Sequence, residues 1–286
     1  MGQDQKSFSL RMPSVDRKPP LITLIGPTAV GKTELAIRLA EACAGEIVSA
    51  DSRLFYRGMD IGTAKPSLEE RRRAPHHLID VADPDEPWSL AMFQKAAQEA
   101  IAGIHARRKL PLLVGGTGQY VRAVVEGWVP PPQAPDPDLR RRLETWAEEI
   151  GPEELHARLA VVDPEAARRI LPGNLRRTIR ALEVIFHTGR RFSEQQRKKE
   201  TPYHLIQIGL TRPREELYRR IDARIEAMFA NGFVEEVRGL LERGYAPDLP
   251  TLSAIGYGET CAYLRGEISL EDTSTTSRNC STPSGA

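Results

Sequence analysis

Apolar and polar positions alternate along the first 127 residues in a way that predicts strands separated by helices. Short apolar runs at 21–25, 46–49 and 110–114 are typical of buried strands. The segments 33–43 and 89–107 carry apolar residues at helical spacing. Because strands and helices alternate, we expect a parallel sheet with helices packed on its faces.

The pattern changes after the proline-rich run at 130–137, which predicts a stiff, extended linker. No strand pattern follows between 138 and 199; helix-start signals occur there instead, and Gly189 lies near a helix end. A strand pattern returns at 204–209, followed by a long helical pattern at 213–230. The chain therefore predicts an α/β core interrupted by an all-helical insertion.

The predicted boundaries follow from these changes of pattern. The core occupies 18–128 and 202–271, the helical insertion 129–201, and the two ends, 1–17 and 272–286, are predicted to be disordered. The C-terminal segment is assigned to disorder because it lacks apolar periodicity.

A phosphate-binding motif follows the first predicted strand directly: residues 26–33 read Gly-Pro-Thr-Ala-Val-Gly-Lys-Thr. Gly26 and Gly31 allow backbone angles that turn successive N–H groups onto an oligophosphate. Lys32 adds a positive charge, Thr33 offers a hydroxyl to Mg²⁺, and the following helix directs its positive end at the anion. The motif and its strand–helix context predict a P-loop NTPase-like core with bound Mg²⁺.

Two further polar segments follow predicted strands. Asp51 and Ser52 come after the second strand, and Gly116 and Thr117 come after the third. Ligands of parallel α/β sheets bind at the carboxyl ends of the strands. We therefore expect these residues to meet the phosphate loop at one site.

Composition is typical of a soluble globular protein, with 40% apolar and 28% charged residues in 286. No stretch approaches 18 apolar residues, and the first twenty residues are polar, so we expect a cytoplasmic protein without a membrane partner. The three cysteines are far apart and offer no zinc spacing.

Positive charge is concentrated in the predicted insertion. Residues 166–199 contain ten Arg or Lys and two acids, whereas the whole chain has a net charge of +1. Such a single-sign excess is typical of a surface that binds a polyanion such as RNA. A solvated helix face is the alternative.

Six segments together resemble the tRNA dimethylallyltransferases, also called tRNA isopentenyltransferases. They occur in order between residues 21 and 270: 26–33, 49–66, 75–80, 113–118, 180–184 and 255–257. The segment 49–66 is the longest and most specific of them. Gly173-Asn174 and Gly258 depart from the usual family pattern, and so does the chain from Asp272 onward.

The resemblance implies a prenyl transfer. Family members move a dimethylallyl group from dimethylallyl diphosphate to N6 of the adenosine at tRNA position 37, and they release diphosphate. It also implies Mg²⁺, binding of the tRNA anticodon stem-loop, and, in our interpretation, a monomer.

Residue roles are carried over from the same resemblance. The catalytic set is Asp51 as general base, Thr117 near the reacting groups, and Lys32. The set that binds the diphosphate or nucleotide is Gly26, Pro27, Thr28, Ala29, Val30, Gly31, Lys32, Thr33 (also the Mg²⁺ ligand) and Arg122. The tRNA-binding set is Asp51, Ser52, Arg53, Leu54, Thr117, Arg140, Arg176, Arg177, Arg180, Ile255, Gly256 and Tyr257.

Four of these residues have a structural alternative. Asp51 could cap a turn or helix, Thr117 could be an ordinary turn residue, and Arg176 and Arg180 could form surface ion pairs. Two other functions also remain open at this stage. One is a small-molecule or nucleotide kinase, which expects an acidic Mg²⁺ ligand at the end of an apolar strand. The other is an RNA-binding module whose loop only senses nucleotide.

Overall fold

A computed structural model describes residues 18–281 except 87, 117, 130–135, 196 and 199. The strands are β1 Pro20–Ile25, β2 Gly45–Ser49, β3 His76–His77, β4 Leu110–Gly115, β5 Trp128–Val129, β6 Arg197–Lys198 and β7 His204–Gly209. The helices are α1 Lys32–Cys43, α2 Leu68–Arg73, α3 Leu90–Ala106, α4 Gly118–Val125, α5 Pro137–Ile150, α6 Pro152–Val162, α7 Pro164–Arg169, α8 Leu175–Thr188, α9 Phe192–Gln195, α10 Arg214–Ala230, α11 Phe233–Glu242, α12 Tyr257–Leu264 and α13 Leu270–Ser281.

Five strands form one parallel sheet in the order β3-β2-β4-β1-β7. The sequence-based prediction of a parallel α/β sheet is confirmed, and all four predicted strands are present. In the register, Leu24 of β1 lies opposite Val114 of β4 and Ile208 of β7. All strands therefore deliver their carboxyl ends to the same edge.

Each face of the sheet is covered by its own apolar cluster. On one face α1 packs over β1, β2 and β4, where Leu24, Ile37 and Leu112 are fully buried. A larger cluster joins the sheet to α3, α4, α11 and α12 through residues such as Phe93 and Tyr257. This packing fixes the loops at the carboxyl edge of the sheet.

The helices α5–α8 share a separate apolar cluster, with Leu143, Leu155 and Leu182 at its centre. Capping residues and prolines mark where these helices begin. Asp136 caps α5 and Asp163 caps α7, and proline occupies the first turn of α5, α6 and α7. Most of the predicted linker, 130–135, lies outside the described residues.

The prediction of disorder from Asp272 onward is wrong for residues 272–281, which form most of α13. Ser269 and Asp272 exchange hydrogen bonds at the start of this helix, and the buried Thr273 hydroxyl donates to the Ser269 carbonyl at 2.9 Å. The helix also packs against α10 and α12. Capping and tertiary packing thus replace the missing apolar periodicity. Residues 1–17 and 282–286 lie outside the described residues.

Within the described part of the chain, no helix has the combination of length and apolar character needed to cross a membrane.

Candidate active site

A cavity of about 480 Å³ opens at the carboxyl edge of the sheet. The three segments that follow β1, β2 and β4 all contribute to it, as the sequence predicts. Its lining is Gly26, Pro27, Thr28, Asp51, Ser52, Arg53, Gly62, Thr63, Gly116, Ile221, Arg224, Ile225, Met228, Phe229, Phe233, Ala254, Ile255 and Gly256. The end of β4 approaches the phosphate loop so closely that a Cβ on Gly116 would lie 3.3 Å from the Gly26 carbonyl oxygen.

The phosphate loop presents Lys32 at the first position of α1. Its ammonium donates to the carbonyl oxygens of Gly26 at 2.9 Å and Pro27 at 2.8 Å. Burial lowers the pKa of Lys32, whereas the nearby Asp51 carboxylate acts to raise it. Lys32 and Asp51 therefore lie close enough to interact electrostatically, although they are 19 residues apart in the sequence.

Asp51 caps a turn, and its carboxylate also remains accessible for chemistry in the cavity. Its Oδ1 accepts the Arg53 N–H at 3.0 Å, as expected of a residue that caps a turn. Its Oδ2 receives no hydrogen bond from the described residues. One carboxylate oxygen thus fixes the side chain while the other is available to a ligand in the cavity.

Sequence reasoning missed the wall that α10 contributes. Arg224 lines the cavity and donates to the Thr63 carbonyl oxygen at 3.1 Å. Burial lowers the pKa of Arg224, and Asp51 opposes that shift. The available signal was a cation at a position where the helical repeat of α10 places apolar residues, between Ile221 and Ile225.

The remainder of this wall is apolar. Ile221, Ile225 and Phe233 are buried, and Met228 and Phe229 are half-buried where they line the cavity. From sequence these positions resemble the core-facing side of any amphipathic helix. The cavity therefore has a polar side at the phosphate loop and an apolar side at α10.

Several predicted residues lie elsewhere. Arg122 lines a neighbouring cavity of about 570 Å³ that shares Gly26, Pro27 and Gly116, and its guanidinium donates to Glu126 at 2.8 Å. Its role toward the diphosphate stays a prediction. Thr117 lies outside the described residues.

Tyr257 does not fit the tRNA-binding role predicted for it. The residue is fully buried, and its hydroxyl donates to Glu236 at 2.7 Å. Burial and the Glu236 carboxylate raise its pKa far above the ordinary value. Tyr257 is a packing residue, whereas its neighbours Ile255 and Gly256 line the cavity and Ile255 is 48% exposed.

The predicted RNA-binding arginines of the insertion fall into two groups. Arg140 and Arg180 both donate to Oε2 of the fully buried Glu183, at 2.9 and 3.0 Å. Arg176 and Arg177 are exposed, and no ion pair of their side chains occurs among the described residues. The ion-pair alternative thus describes Arg180, while Arg176 remains available to an anion.

The donor set of the loop suits Mg²⁺ bound together with a phosphate ligand. Thr33 is exposed on the first turn of α1, and its hydroxyl has no hydrogen-bond partner in the described ranges. No group of three or more His, Cys, Asp or Glu that could hold a metal alone occurs there either. Mg²⁺ is commonly held by one or two protein oxygens plus substrate phosphates, so the Thr33 hydroxyl fits this ion.

Comparison with known proteins identifies the family of the chain. The chain matches the family model described as IPP transferase over residues 54–280. It is 54% identical over 258 residues to a protein of Thermomicrobium roseum named tRNA dimethylallyltransferase. The aligned region covers 90% of this chain and 78% of that protein. A protein of the same name from Roseiflexus sp. (strain RS-1) is 58% identical over 253 residues, with 88% and 83% covered.

Solved structures give the same result. The full-length tRNA isopentenylpyrophosphate transferase of Bacillus halodurans superposes with a TM-score of 0.67 at 44% identity, covering 93% of this chain and 84% of that one. A eukaryotic dimethylallyltransferase described as acting on tRNA superposes with a TM-score of 0.78 at 28% identity, covering 92% and 67%. From its sequence match over most of its length, the chain belongs to the IPP transferase family.

Proposed function

We propose that this protein transfers the dimethylallyl group of dimethylallyl diphosphate to N6 of adenosine 37 in tRNA and releases diphosphate. The supporting observation is the cavity in which a phosphate loop, the Asp51 carboxylate and an apolar wall meet. A diphosphate, an amine nucleophile and a small branched hydrocarbon each require one of these three surfaces.

The phosphate loop holds the leaving group. When the bond between the allylic carbon and the diphosphate oxygen breaks, negative charge develops on the diphosphate. Lys32 and the N–H groups at the start of α1 are placed to stabilise that charge, and such preorganised electrostatics is usually the largest catalytic contribution. Its hydrogen bonds to the Gly26 and Pro27 carbonyls hold the Lys32 ammonium at the loop that binds the ligand.

The Thr33 hydroxyl would hold Mg²⁺, which would supply positive charge next to the departing diphosphate. Arg224 lines the same cavity from the α10 side and supplies a further cation.

Asp51 is the proposed general base. The exocyclic N6 amine of adenine is a weak nucleophile because its lone pair is delocalised into the ring. A carboxylate that accepts an N–H proton as the new bond to carbon forms increases its reactivity. The Oδ1 bond to Arg53 holds the side chain in place, so Oδ2 can serve the amine.

We propose that the dimethylallyl group binds against the apolar wall of α10. Ile225, Met228 and Phe229 offer hydrocarbon surface with no charged group of their own. This surface excludes water from an allylic carbon that acquires cation character. Exclusion of water prevents hydrolysis in place of transfer.

The helical insertion is proposed to bind the anticodon stem-loop, with Arg176 and Arg177 contacting phosphates. Adenosine 37 must leave its stack to enter the cavity, which costs a few kcal/mol. Ser52, Arg53, Ile255 and Gly256 line the cavity and are placed to contact the extruded nucleotide or its neighbours. We further propose that the protein acts as a monomer in the cytoplasm.

The kinase alternative has weaker support. β4 ends at Gly115 and is followed by Gly116, so no acidic side chain stands at the end of this strand as a metal ligand, and the Asp51 that follows β2 is assigned to the amine. The names of the relatives also agree with prenyl transfer.

The product tests the proposal. Purified protein is incubated with Mg²⁺, dimethylallyl diphosphate and a tRNA transcript that carries adenosine 37, and the tRNA is digested to nucleosides for mass spectrometry. We expect N6-dimethylallyladenosine from the first transcript and none from a transcript with guanosine at position 37. Absence of this nucleoside from the transcript that carries adenosine 37 would reject the proposed activity.

A further inference from the structure

Two arginines donate hydrogen bonds to the phosphate loop from outside the cavity. The Arg220 Nε donates to the Ala29 carbonyl oxygen at 2.7 Å, and the Arg212 Nε donates to the Val30 carbonyl oxygen at 2.8 Å. Both side chains line a separate groove of about 590 Å³, and neither lines the cavity that holds Asp51. They reach the loop from the chain that returns after the insertion, about 180 residues later in the sequence.

These contacts act on the orientation of the peptide groups. A trans peptide is planar and directs its C=O and the following N–H to opposite sides. Because Arg212 holds the Val30 carbonyl on the outside, the Gly31 N–H is directed away from Arg212. No hydrogen bond to that N–H occurs among the described residues, which leaves it available to an anion.

The same stretch of loop has a backbone that needs support. Ala29 has φ 62° and Gly31 has φ 104°, both in the left-handed region. For alanine this conformation is uncommon and unfavourable, so it persists only where its surroundings impose it. The two guanidinium groups are the side-chain donors that hold the carbonyls of this stretch.

The Arg212 side chain is itself held in place by a second contact. Arg212 also donates to Glu216 at 2.5 Å, which fixes the guanidinium over the loop. From the other side, Lys32 holds the carbonyls of Gly26 and Pro27. Cations thus bind four of the carbonyl groups of the phosphate loop.

We propose that Arg212 and Arg220 are positioning residues that hold the backbone of Ala29 to Gly31 so that the Gly31 N–H is ready for the diphosphate, whereas the Val30 N–H donates to the Pro27 carbonyl oxygen at 3.4 Å. They also place two positive charges behind the loop without touching the ligand. This proposal rests on the proposed function, because it takes the loop to be the diphosphate site.

The test measures binding of inorganic diphosphate with Mg²⁺ by titration calorimetry. We expect Arg212→Gln and Arg220→Gln each to weaken binding by about tenfold or more, the scale of one lost hydrogen bond from a charged donor. The matched control is Arg219→Gln, which removes the adjacent exposed arginine of α10 and should leave the affinity within about twofold of the parent protein.

Further readouts separate positioning from a general loss of structure. The KM for dimethylallyl diphosphate should rise in both glutamine variants while the dissociation constant for tRNA stays unchanged. Arg220→Lys should recover part of the affinity, since an ammonium can still donate to Ala29. Loss of tRNA binding in parallel with diphosphate binding would indicate misfolding and overturn the positioning role.

The outcome also distinguishes this proposal from the proposed function. If the parent protein binds diphosphate and the glutamine variants bind it equally well, Arg212 and Arg220 have no positioning role. This proposal is then rejected while the proposed function stands. If the parent protein fails to bind diphosphate, the diphosphate site itself is rejected, and with it both proposals.

Discussion

Glu236 of α11 supports one wall of the cavity through four hydrogen bonds, and its replacement gives the most quantitative prediction. Its Oε2 accepts the N–H groups of Asp60 at 2.7 Å and Ile61 at 2.6 Å. Its Oε1 accepts the Gly62 N–H at 3.1 Å and the Tyr257 hydroxyl at 2.7 Å. Gly62 lines the cavity, so the carboxylate fixes a backbone arch that faces the ligand.

Glu236→Gln conserves the shape but cannot satisfy this arrangement. The amide has one accepting oxygen and one donating nitrogen, so wherever the nitrogen lies it faces at least one backbone N–H. We expect a loss of about 3 kcal/mol in the free energy of unfolding, from two disrupted charge-assisted bonds of about 1.5 kcal/mol each. At about 2–4 °C per kcal/mol, the melting temperature should fall by roughly 6–12 °C.

Thermal unfolding followed by circular dichroism measures this effect, and Glu235→Gln is the control. Glu235 is the adjacent, exposed acid of α11, and its only ion pair in the described ranges is to Arg238 at 3.7 Å. Its replacement should change the unfolding free energy by less than about 0.5 kcal/mol. Equal melting temperatures for the two variants would refute the reasoning.

A double-mutant cycle with Tyr257→Phe isolates one of the four bonds. The Tyr257 ring also packs against Gly62, where a Cβ would lie 2.6 Å from the ring, so the phenylalanine ring keeps this contact. Tyr257→Phe alone should cost about 1 kcal/mol, and less in the Glu236→Gln background, with a coupling of about 0.5 kcal/mol or more. Additive effects would mean that the hydroxyl does not interact with Glu236.

Three further predictions address the chemistry and the RNA. Lys32→Ala should abolish transfer in a single-turnover assay while the circular dichroism spectrum stays unchanged; activity at the parent rate would remove Lys32 from the site. Asp51→Asn should lower the single-turnover rate by about 10² or more with tRNA affinity retained, the scale of a positioned base; weakened tRNA binding at an unchanged rate would reassign Asp51 to recognition. Arg176→Ala combined with Arg177→Ala should reduce the slope of log K against log salt for tRNA binding by about 1.4–1.8, at about 0.7–0.9 per phosphate contact. Arg180→Ala should reduce the slope by less than the value of one phosphate contact, about 0.7–0.9, because Glu183 already offsets that charge; a reduction by the full value of one contact would contradict the assignment.

The sheet and the convergence of its loops could be predicted because their signals are local. Buried parallel strands read as short apolar runs, and the phosphate loop has a fixed spacing of residues that the backbone requires. The carboxyl edge of a parallel sheet then brings Asp51 and Gly116 to the loop without further information.

The rest depended on tertiary contacts that no local pattern expresses. The apolar wall of α10 has the ordinary pattern of an amphipathic helix, and only the fold shows that part of it faces a cavity. Tyr257 follows two residues of the cavity lining, yet packing between α11 and the arch at Gly62 buries it. The pairing of Arg180 with Glu183 could have been inferred from their i,i+3 spacing.

Release of diphosphate tests the central claim most directly. Purified protein with Mg²⁺ and dimethylallyl diphosphate is assayed for diphosphate with and without a tRNA transcript that carries adenosine 37. The account predicts release only when the tRNA is present, with one diphosphate formed for each adenosine modified. Release at the same rate without tRNA would contradict it.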